Sequence, residues 1–444
     1  MVRRRRALLI LAGVATATLA GWALSQTRTN TINPPSITPV QLLSRPIPAM
    51  APNAAQLQHG RDVVVQGDCV SCHTQSAGEP MAGGLGLRTP FGVIYSPNIT
   101  SDTATGIGGW TPAQFYGAMH RGVDDQGKPL YPAFPYVYFT RISRQDSDAA
   151  LAYLKTVPPV RYTPPANQLP FPLNIRFLVR GWNLLFFRPG TFRGDPARSA
   201  QWNRGAFLVN GLGHCGQCHT PTNFLGANDN GKPFQGGSLD NWVAPDLSGN
   251  ARVGLGGWRG AEIVEYLKTG RNARAQAAGP MAEVVSYSTS LMSDADVAAI
   301  ATYLKTLAAS PDRRPAAPGQ GAMNRGAAIY SDACASCHLE GGVGQPRYFP
   351  PLSRDAVVQQ ANPTGVIHLI LAGVRTAPTA ARPSPLTMPS FAWKLTDQEI
   401  ADVSTFLRNS WGNRAAPASA GDVGRLRRRL NLTRVRLTQN SGDH

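Results

Sequence analysis

The sequence predicts a mainly α-helical protein of three tandem domains, each built around one covalently bound haem c. Three C-x-x-C-H segments, at 69–73, 215–219 and 334–338, contain all six cysteines of the 444-residue chain. This motif attaches c-type haem, because its two thiols form thioethers and its histidine binds the iron. At about 100–200 residues per domain, the length also fits three domains.

Each segment supplies the same set of haem-binding groups. Thioethers are expected at Cys69, Cys72, Cys215, Cys218, Cys334 and Cys337, and proximal iron ligands at His73, His219 and His338. A zinc site would need about four ligands, and no second cysteine or histidine pair lies near any segment. A redox dithiol or a structural disulfide would leave the repeated histidine unexplained. Three haem c groups are therefore the expected cofactors.

Predicted helices recur in the same order around each motif, which indicates an internal repeat. Short helices that begin with glycine are expected before the motifs, at 60–68, 205–214 and 326–333. Second helices are expected to end at Gly122, Gly270 and Gly373. One opening helix, one motif and one middle helix thus form the first part of each copy.

The closing helix of each copy carries the clearest signal. It starts with a capping box, at 143–146, 293–296 and 396–399. An aromatic residue and a leucine follow at constant offsets, at 153–154, 303–304 and 406–407. Three helices in this order resemble the small class I cytochrome c fold, in which the first and last helices pack together. The expected fold is therefore three tandem class I cytochrome c domains.

Composition suggests the boundaries between segments. Arginines at 3–6 followed by an apolar run at 7–24 form the pattern of an export signal. The run is about as long as the shortest membrane-spanning helix, so a cleaved signal and a retained anchor are both open. The expected segments are a signal or membrane anchor at 1–25, a linker at 26–54, the first domain at 55–160, an insert at 161–200, the second domain at 201–309, a linker at 310–320, the third domain at 321–412 and a basic tail at 413–444.

Two segments outside the domains combine apolar and basic residues. The insert contains an apolar block at 177–187 that is too short to span a bilayer. We expect it to be buried between domains, with the membrane interface or a partner protein as alternatives. The tail mixes arginines and leucines from 425 to 436, which fits a helix on an anionic membrane surface or a solvated, frayed end.

The net charge of +17 overstates the charge of the exported holoprotein. Four arginines lie in the signal, and haem propionates would remove up to about six further positive charges. Nucleic acid is not an expected partner, because the chain has no binding motif and its basic residues do not form a groove. Covalent haem c is attached outside the bacterial cytoplasm, so we expect the protein on the periplasmic side of the cytoplasmic membrane.

Each iron also needs a distal ligand, which sets its potential. Met281 and Met388 stand just before the second and third closing helices and are the expected ligands there; packing in the core is the alternative. The matching loop of the first copy has Phe134, which cannot bind iron. We expect Met119, on the middle helix, to bind instead, with His120 or an open five-coordinate iron as alternatives. His59, His214 and His368 are expected to be structural.

Several longer motifs resemble a known family, the triple-haem cytochrome c subunits of membrane-bound periplasmic dehydrogenases that oxidise alcohols, aldehydes or sugar acids such as gluconate. They are G-D-C-V-S-C-H-T at 67–74, T-P-F-G at 89–92, P-N-I-T at 97–100, W-N-R-G-A at 202–206, H-C-G-Q-C-H-T-P at 214–221 and G-P-M at 279–281. The resemblance covers nearly the whole chain after the signal. It implies a chain that is not itself an enzyme and that passes electrons from a separate catalytic subunit to ubiquinone.

The resemblance also bears on the type of catalytic subunit. In this family it carries molybdopterin together with an iron–sulfur subunit, pyrroloquinoline quinone, or flavin. The Y-P-A-F-P-Y loop at 131–136, with Met119 upstream, is similar to the cytochromes paired with molybdopterin aldehyde-oxidising subunits. Quinoprotein alcohol dehydrogenases and flavin-dependent sugar-acid dehydrogenases are the alternatives. A haem peroxidase, which would need an open iron, and a free periplasmic electron carrier are the rival functions.

Overall fold

The computed structural model describes residues 36–432, so the predicted signal at 1–25 and the tail residues Arg434 and Arg436 lie outside the described residues. Helices dominate this range, which confirms the mainly α prediction. Its strands form three antiparallel two-stranded hairpins. They pair Gly86–Thr89 with Gly92–Tyr95, Gly237–Leu239 with Trp242–Ala244, and Val374–Arg375 with Thr387–Met388.

Three helical units follow one another at 54–160, 200–309 and 320–412, and we call them the first, second and third unit. The opening helices are Ala54–Gln66, Ala200–Asn210 and Gln320–Ala333. The middle helices are Pro112–Arg121, Gly260–Thr269 and Thr364–Ala372. The closing helices are Arg144–Leu154, Asp294–Leu304 and Asp397–Leu407. The C-x-x-C-H segments form single helical turns at Cys69–Cys72, Gly216–His219 and Ala335–His338.

The opening and closing helices of each unit cross at a glycine of the opening helix. A Cβ atom there would meet a carbonyl oxygen of the closing helix far inside van der Waals distance. The pairs are Gly60 with Ala149 (2.0 Å), Gly205 with Ala299 (2.0 Å) and Gly326 with Asp402 (2.3 Å). The predicted aromatic residues of the closing helices, Tyr153, Tyr303 and Phe406, contact the same glycines. The two helix backbones therefore touch in all three units.

The prediction that these glycines begin the opening helices is wrong. The helices begin five or six residues earlier, at Ala54, Ala200 and Gln320. Glycine is present because only a residue without a Cβ permits this approach, and the helix accepts the entropic cost of an interior glycine. The repeated glycine marks a helix crossing and not a helix start.

The other ends of the helices follow the sequence signals. The middle helices end at Gly122, Gly270 and Gly373, each with a positive φ. The capping boxes of the first and third closing helices are formed. At Ser293 only half of the box is present, because the carboxylate of Asp296 binds Arg204 at 2.7 Å. Asp296 also accepts a hydrogen bond from Gln66 of the first unit at 3.0 Å and so joins the two units.

The hydrophobic core is divided unequally among the units. The first and second units share one core, to which Val64 of the first and Leu208 of the second contribute with 2% and 0% exposure. The third unit has its own core around Ile367 and Val403. The first two units are thus joined by apolar packing, whereas the third unit forms a separate hydrophobic body.

Two segments that the sequence places outside the domains pack onto the units. A helix at Pro39–Leu43, inside the predicted linker, buries Leu42 and Leu43 in the shared core. The tail forms a helix at Ala420–Arg429 on the third unit, where Leu426 is buried and Arg427 binds Asp397 at 2.7 Å. For residues 413–432 both expectations, a membrane-surface helix and a frayed end, are wrong, because the leucines face the third unit.

The insert contains a 3₁₀ turn at Arg176–Leu178 and a helix at Val179–Phe186. Val179 and Phe187 are buried, and Asn183 accepts a hydrogen bond from Tyr136 of the first unit at 2.5 Å. Trp182 and Phe186 are half-buried, whereas the side chains of Phe177, Leu178, Leu184 and Leu185 are exposed. The expectation of burial between domains is therefore correct only for part of the block. This short helix contacts the first unit through Asn183 and the second unit through Trp182, and its two leucines face outward.

The exposed apolar side chains form a surface that we call the apolar patch. It comprises Phe171, Leu173, Ile175, Phe177, Leu178, Leu184 and Leu185 of the insert with Phe224 and Leu225 of the second unit. A hydrogen bond of 3.0 Å from the Trp182 indole to the Leu225 carbonyl joins the two parts. Between residues 36 and 432, no helix has the length and apolar character needed to cross a bilayer.

Candidate haem sites

The histidine of each C-x-x-C-H segment donates a hydrogen bond from Nδ1 to a proline carbonyl. The pairs are His73 with Pro97 (2.7 Å), His219 with Pro245 (2.7 Å) and His338 with Pro350 (3.0 Å). A carbonyl oxygen can only accept, so the proton must lie on Nδ1. Nε2 then keeps the lone pair that binds a metal, and the carbonyl fixes the orientation of the ring.

The sequence patterns do not single out these prolines, although a signal for them exists. Each begins a P-x-(I/L)-(S/T) segment, at 97–100, 245–248 and 350–353. Their distance from the histidine varies, at 24, 26 and 12 residues, which hides the repeat in a simple alignment on the motifs. In the second unit Ser248 forms part of the same turn, donating its backbone N–H to Asp246 at 2.6 Å.

The chemical groups of the motif residues suit covalent haem. Burial lowers the pKa of all three histidines, so the imidazoles are neutral and able to bind iron. None of the six cysteines forms a disulfide. Burial raises the thiol pKa to about 12 at Cys69, Cys72 and Cys215 and to about 11 at Cys218 and Cys334. The donor set of each segment, two thiols and one imidazole with free Nε2, therefore fits haem c.

A conventional metal site is a poorer fit to these residues. In the described range, no group of three or more histidine, cysteine, aspartate or glutamate side chains could hold a metal ion. Zinc would need such a group. A haem brings four ligands of its own, so one histidine and one distal residue complete its coordination.

The structure separates the two candidate distal residues of the first unit. Met119 is 6% exposed and belongs to the shared core. His120 points elsewhere: its ring stacks on Tyr116, with centroids 4.8 Å apart, and lies 3.4 Å from the Thr140 hydroxyl. Phe134 packs against the core at 5.4 Å from the Phe139 ring. Of the two, the methionine therefore lies with the buried apolar residues of the unit.

The other predicted methionines lie on distinct elements. Met281 stands in the first turn of the short helix Pro280–Val284 and packs against the shared core. Met388 ends the hairpin strand Thr387–Met388 and packs against the core of the third unit. Met281 also belongs to a small cluster with Ala377, so it lies where the second and third units meet.

The remaining histidines have structural partners. His59 binds Asp146 of the closing helix at 2.9 Å. Nδ1 of His214 lies 2.8 Å from the Leu212 carbonyl. His368 stacks on Trp242 of the second unit, with centroids 4.0 Å apart.

The first and second motifs lie against each other through reciprocal contacts. Tyr138 of the first unit donates to Asn228 beside the second motif at 2.9 Å. On the other side, burial raises the pKa of Asp68, which precedes the first motif, to about 7, and Glu283 of the second unit contributes to this rise. Cys218 is also near enough to raise the pKa of Cys72. The two haem sites therefore adjoin each other across the shared core.

Comparison with known proteins agrees with this geometry. The Cytochrome c family matches residues 204–308 and 323–411. The cytochrome c subunit of alcohol dehydrogenase (quinone) from Gluconobacter oxydans is 39% identical over 393 residues, 84% of this chain and 82% of that protein. The gluconate 2-dehydrogenase cytochrome c subunit of Pantoea cypripedii is 38% identical over 403 residues, 85% of this chain and 90% of that protein.

A third relative is longer than this chain. A nicotinate dehydrogenase subunit of Pseudomonas putida is 42% identical over 367 residues, which are 80% of this chain but only 30% of that protein. The relatives are thus named as subunits of alcohol, gluconate and nicotinate dehydrogenases. The motifs, the geometry of the histidines and the relatives lead to the same conclusion. The chain belongs to the cytochrome c subunits of dehydrogenase complexes, which bind haem c covalently and transfer electrons without catalysing substrate oxidation.

Proposed function

We propose that the chain holds three haem c groups, one in each unit, and passes electrons from a catalytic dehydrogenase subunit to membrane ubiquinone. The observation that carries this proposal is the histidine–proline bond, which occurs at all three motifs. When bound, haem supplies one-electron chemistry at a potential set by its axial ligands. The chain supplies the ligands, the spacing and the exclusion of water.

The proposed iron ligands are His73, His219 and His338 on the proximal side and Met119, Met281 and Met388 on the distal side. The thioethers form at Cys69, Cys72, Cys215, Cys218, Cys334 and Cys337. The buried position of Met119 and the separate partners of His120 support methionine in the first unit. A filled distal position leaves no open iron, which argues against a peroxidase.

The arrangement of the units supports a route through the middle of the chain. The second unit contacts the first through the shared core and the third through contacts such as the stack of Trp242 on His368. The second unit therefore lies on the route of an electron that travels between the first and third units, in either direction. Reciprocal contacts between the first two motifs shorten that part of the route.

For the partner, we favour a molybdopterin, aldehyde-oxidising catalytic subunit with an iron–sulfur subunit. Phe134 in the distal loop and Met119 on the middle helix carry this preference. A quinoprotein alcohol dehydrogenase is the second candidate, since relatives of that name match over 84–85% of this chain. A flavin-dependent sugar-acid dehydrogenase is the third candidate. The cytochrome subunits of gluconate 2-dehydrogenase and fructose dehydrogenase match this chain at 38% and 36% identity.

We place the protein at the periplasmic surface of the cytoplasmic membrane. The apolar patch supports this location, because Phe177, Leu184 and Leu185 are each 63–76% exposed. Arg180 lies over the Phe177 ring at 5.0 Å, and Arg188 holds the Leu184 carbonyl at 3.0 Å. An apolar surface bordered by arginines suits the headgroup region of an anionic bilayer.

Purification of the tagged protein from membranes in mild detergent tests this function. We expect three covalent haems per chain, together with a molybdenum-containing catalytic subunit and an iron–sulfur subunit. Pyrroloquinoline quinone in the purified material would move the assignment to alcohol dehydrogenase, and flavin would move it to a sugar or sugar-acid enzyme. A lone triple-haem protein released by osmotic shock would contradict the complex and favour a free carrier.

Replacement of Leu184 and Leu185 by glutamate is expected to move most of the protein from the membrane to the soluble fraction. Two leucines that leave an apolar environment cost about 4 kcal/mol, or about a thousandfold in partitioning. Flotation with anionic vesicles measures the effect. Trp393→Glu is the control, since Trp393 is 60% exposed but lies outside the patch. Loss of the catalytic subunit with unchanged vesicle binding would assign the patch to the partner.

A further inference from the structure

Two arginines with unused hydrogen-bond donors meet between the second and third units. Arg271 is the first residue after the glycine that ends the middle helix of the second unit, and it is only 6% exposed. Arg382 belongs to the loop of the third unit that joins strands Val374–Arg375 and Thr387–Met388. Within the described residues, the Nε of each guanidinium is buried without a hydrogen-bond partner. Two unused N–H groups therefore face the same interface.

The surroundings of this pair contain too few acidic groups. Arg271 binds backbone carbonyls, those of Arg347 at 3.4 Å and Ser384 at 3.2 Å. The carboxylate of Glu265 is bound by Arg347 at 2.6 Å and lies 4.0 Å from Arg382. Arg347 and Arg382 thus share one carboxylate, and burial together with Arg382 lowers the pKa of Arg271. Buried like charges are costly unless an anion joins them.

The pair lies beside the proposed distal ligand of the second haem. The backbone of Thr376 pairs with Ala278, three residues before Met281. Ala377 joins Ala277, Met281 and neighbouring residues in one apolar cluster. The loop that carries Arg382 therefore covers the segment that carries Met281. A loop of the third unit thus completes the surface of the haem site in the second.

The equivalent positions in the other units do not repeat the arginine. Directly after the glycine that ends the middle helix, the first unit has Val123 and the third has Val374. The histidine–proline bond, by contrast, occurs in all three units. The charge is therefore a property of the second site and not of the repeated fold.

We propose that Arg271 and Arg382 together bind a propionate of the second haem. This inference rests on the proposed function, which places a haem on His219. A carboxylate matches the planar N–H pattern of guanidinium and accepts charge-assisted hydrogen bonds from both Nε groups. The contact ties the third unit to the haem of the second. It also keeps the propionate ionised at neutral pH, because nearby positive charge lowers a carboxyl pKa.

Redox titration of the holoprotein tests the proposal with Arg271→Gln and Arg382→Gln. Loss of a positive charge beside one haem favours its oxidised form. We expect about a tenfold shift in its oxidised-to-reduced ratio at fixed potential, which for one electron equals about 59 mV. The released propionate should then titrate, so the potential of that haem becomes pH-dependent between about pH 5 and pH 8. The other two haems keep their wild-type potentials.

Arg274→Gln is the matched control. Arg274 lies on the same loop and loses the same charge, but its Nε binds Glu262 at 3.1 Å. The proposal is overturned if Arg274→Gln and Arg271→Gln shift the potential of the second haem equally and neither makes it pH-dependent. Arg271 would then only hold the second and third units together. Arg271→Lys keeps the positive charge, so the propionate should stay ionised and the pH dependence should be weaker than in Arg271→Gln.

The haem count separates the possible failures. A wild-type protein without haem on the second motif refutes the proposed function, whatever the variants do. If Arg271→Gln yields no holoprotein, Arg382→Gln decides alone, because this side chain is 28% exposed and its loss leaves the core intact. An unchanged, pH-independent potential in Arg382→Gln would refute the propionate site.

Discussion

Gly326→Ala is expected to destabilise the third unit by about 2 kcal/mol, although alanine is the better helix former by about 1 kcal/mol. The added methyl would lie 2.3 Å from the Asp402 carbonyl oxygen, which belongs to a helix backbone and cannot turn aside. The two helices must move apart, and Phe406 at the same crossing loses its packing. For a unit of this size the thermal midpoint should fall by about 10 °C.

Gly321→Ala in the same helix is the control for this result. Its Cβ would meet only the end of the Arg325 side chain, at 3.5 Å. We expect unchanged or slightly higher stability, by up to about 1 kcal/mol, because alanine has the higher helix propensity. Unfolding of both variants is followed by circular dichroism and haem absorption. Equal stabilisation by both substitutions would show that the helices do not touch at Gly326.

Met119→Leu is expected to reduce the number of methionine-ligated haems from three to two. Leucine fills the same buried space without a sulfur, so the first iron loses its sixth ligand and its potential falls. The absorption band of methionine–iron(III) bonds should weaken by about one third of its intensity, since one ligand of the three is lost. The altered iron should also bind added cyanide or carbon monoxide, which a six-coordinate haem resists.

Two further variants serve as comparisons for Met119→Leu. His120→Leu should leave the spectrum unchanged, because the His120 ring stacks on Tyr116 and lies beside Thr140. Met281→Leu should reproduce the same loss at the second haem. If Met119→Leu changes nothing while His120→Leu abolishes a ligand band, histidine is the distal ligand of the first unit.

The sequence predicts the repeated parts of the molecule well, because each signal is local. The C-x-x-C-H segments, the helix-ending glycines and two of the three capping boxes need only a few neighbouring residues. The prolines that orient the histidines are harder to find, since loops of different length separate each pair. The glycines at 60, 205 and 326 are visible as a repeat, but their role is not, because it depends on a second helix about 75 to 95 residues away.

Features that depend on packing between units are not encoded locally. The incomplete capping box at Ser293 follows from Asp296, which binds Arg204 and Gln66 of two different units. The insert has the composition of a buried segment, yet Phe177, Leu184 and Leu185 are exposed and only Val179 and Phe187 are fully buried. The surfaces of the neighbouring units decide which face of the insert helix is buried. The sequence pattern of the insert does not describe those surfaces.

The shared core of the first two units has a consequence for how the chain unfolds. Because Val64 and Leu208 are buried in one core, neither of these two units can bury its apolar residues alone. We expect the first two units to unfold in one cooperative transition and the third unit, which has its own core, to unfold in another. Differential scanning calorimetry should resolve the two transitions.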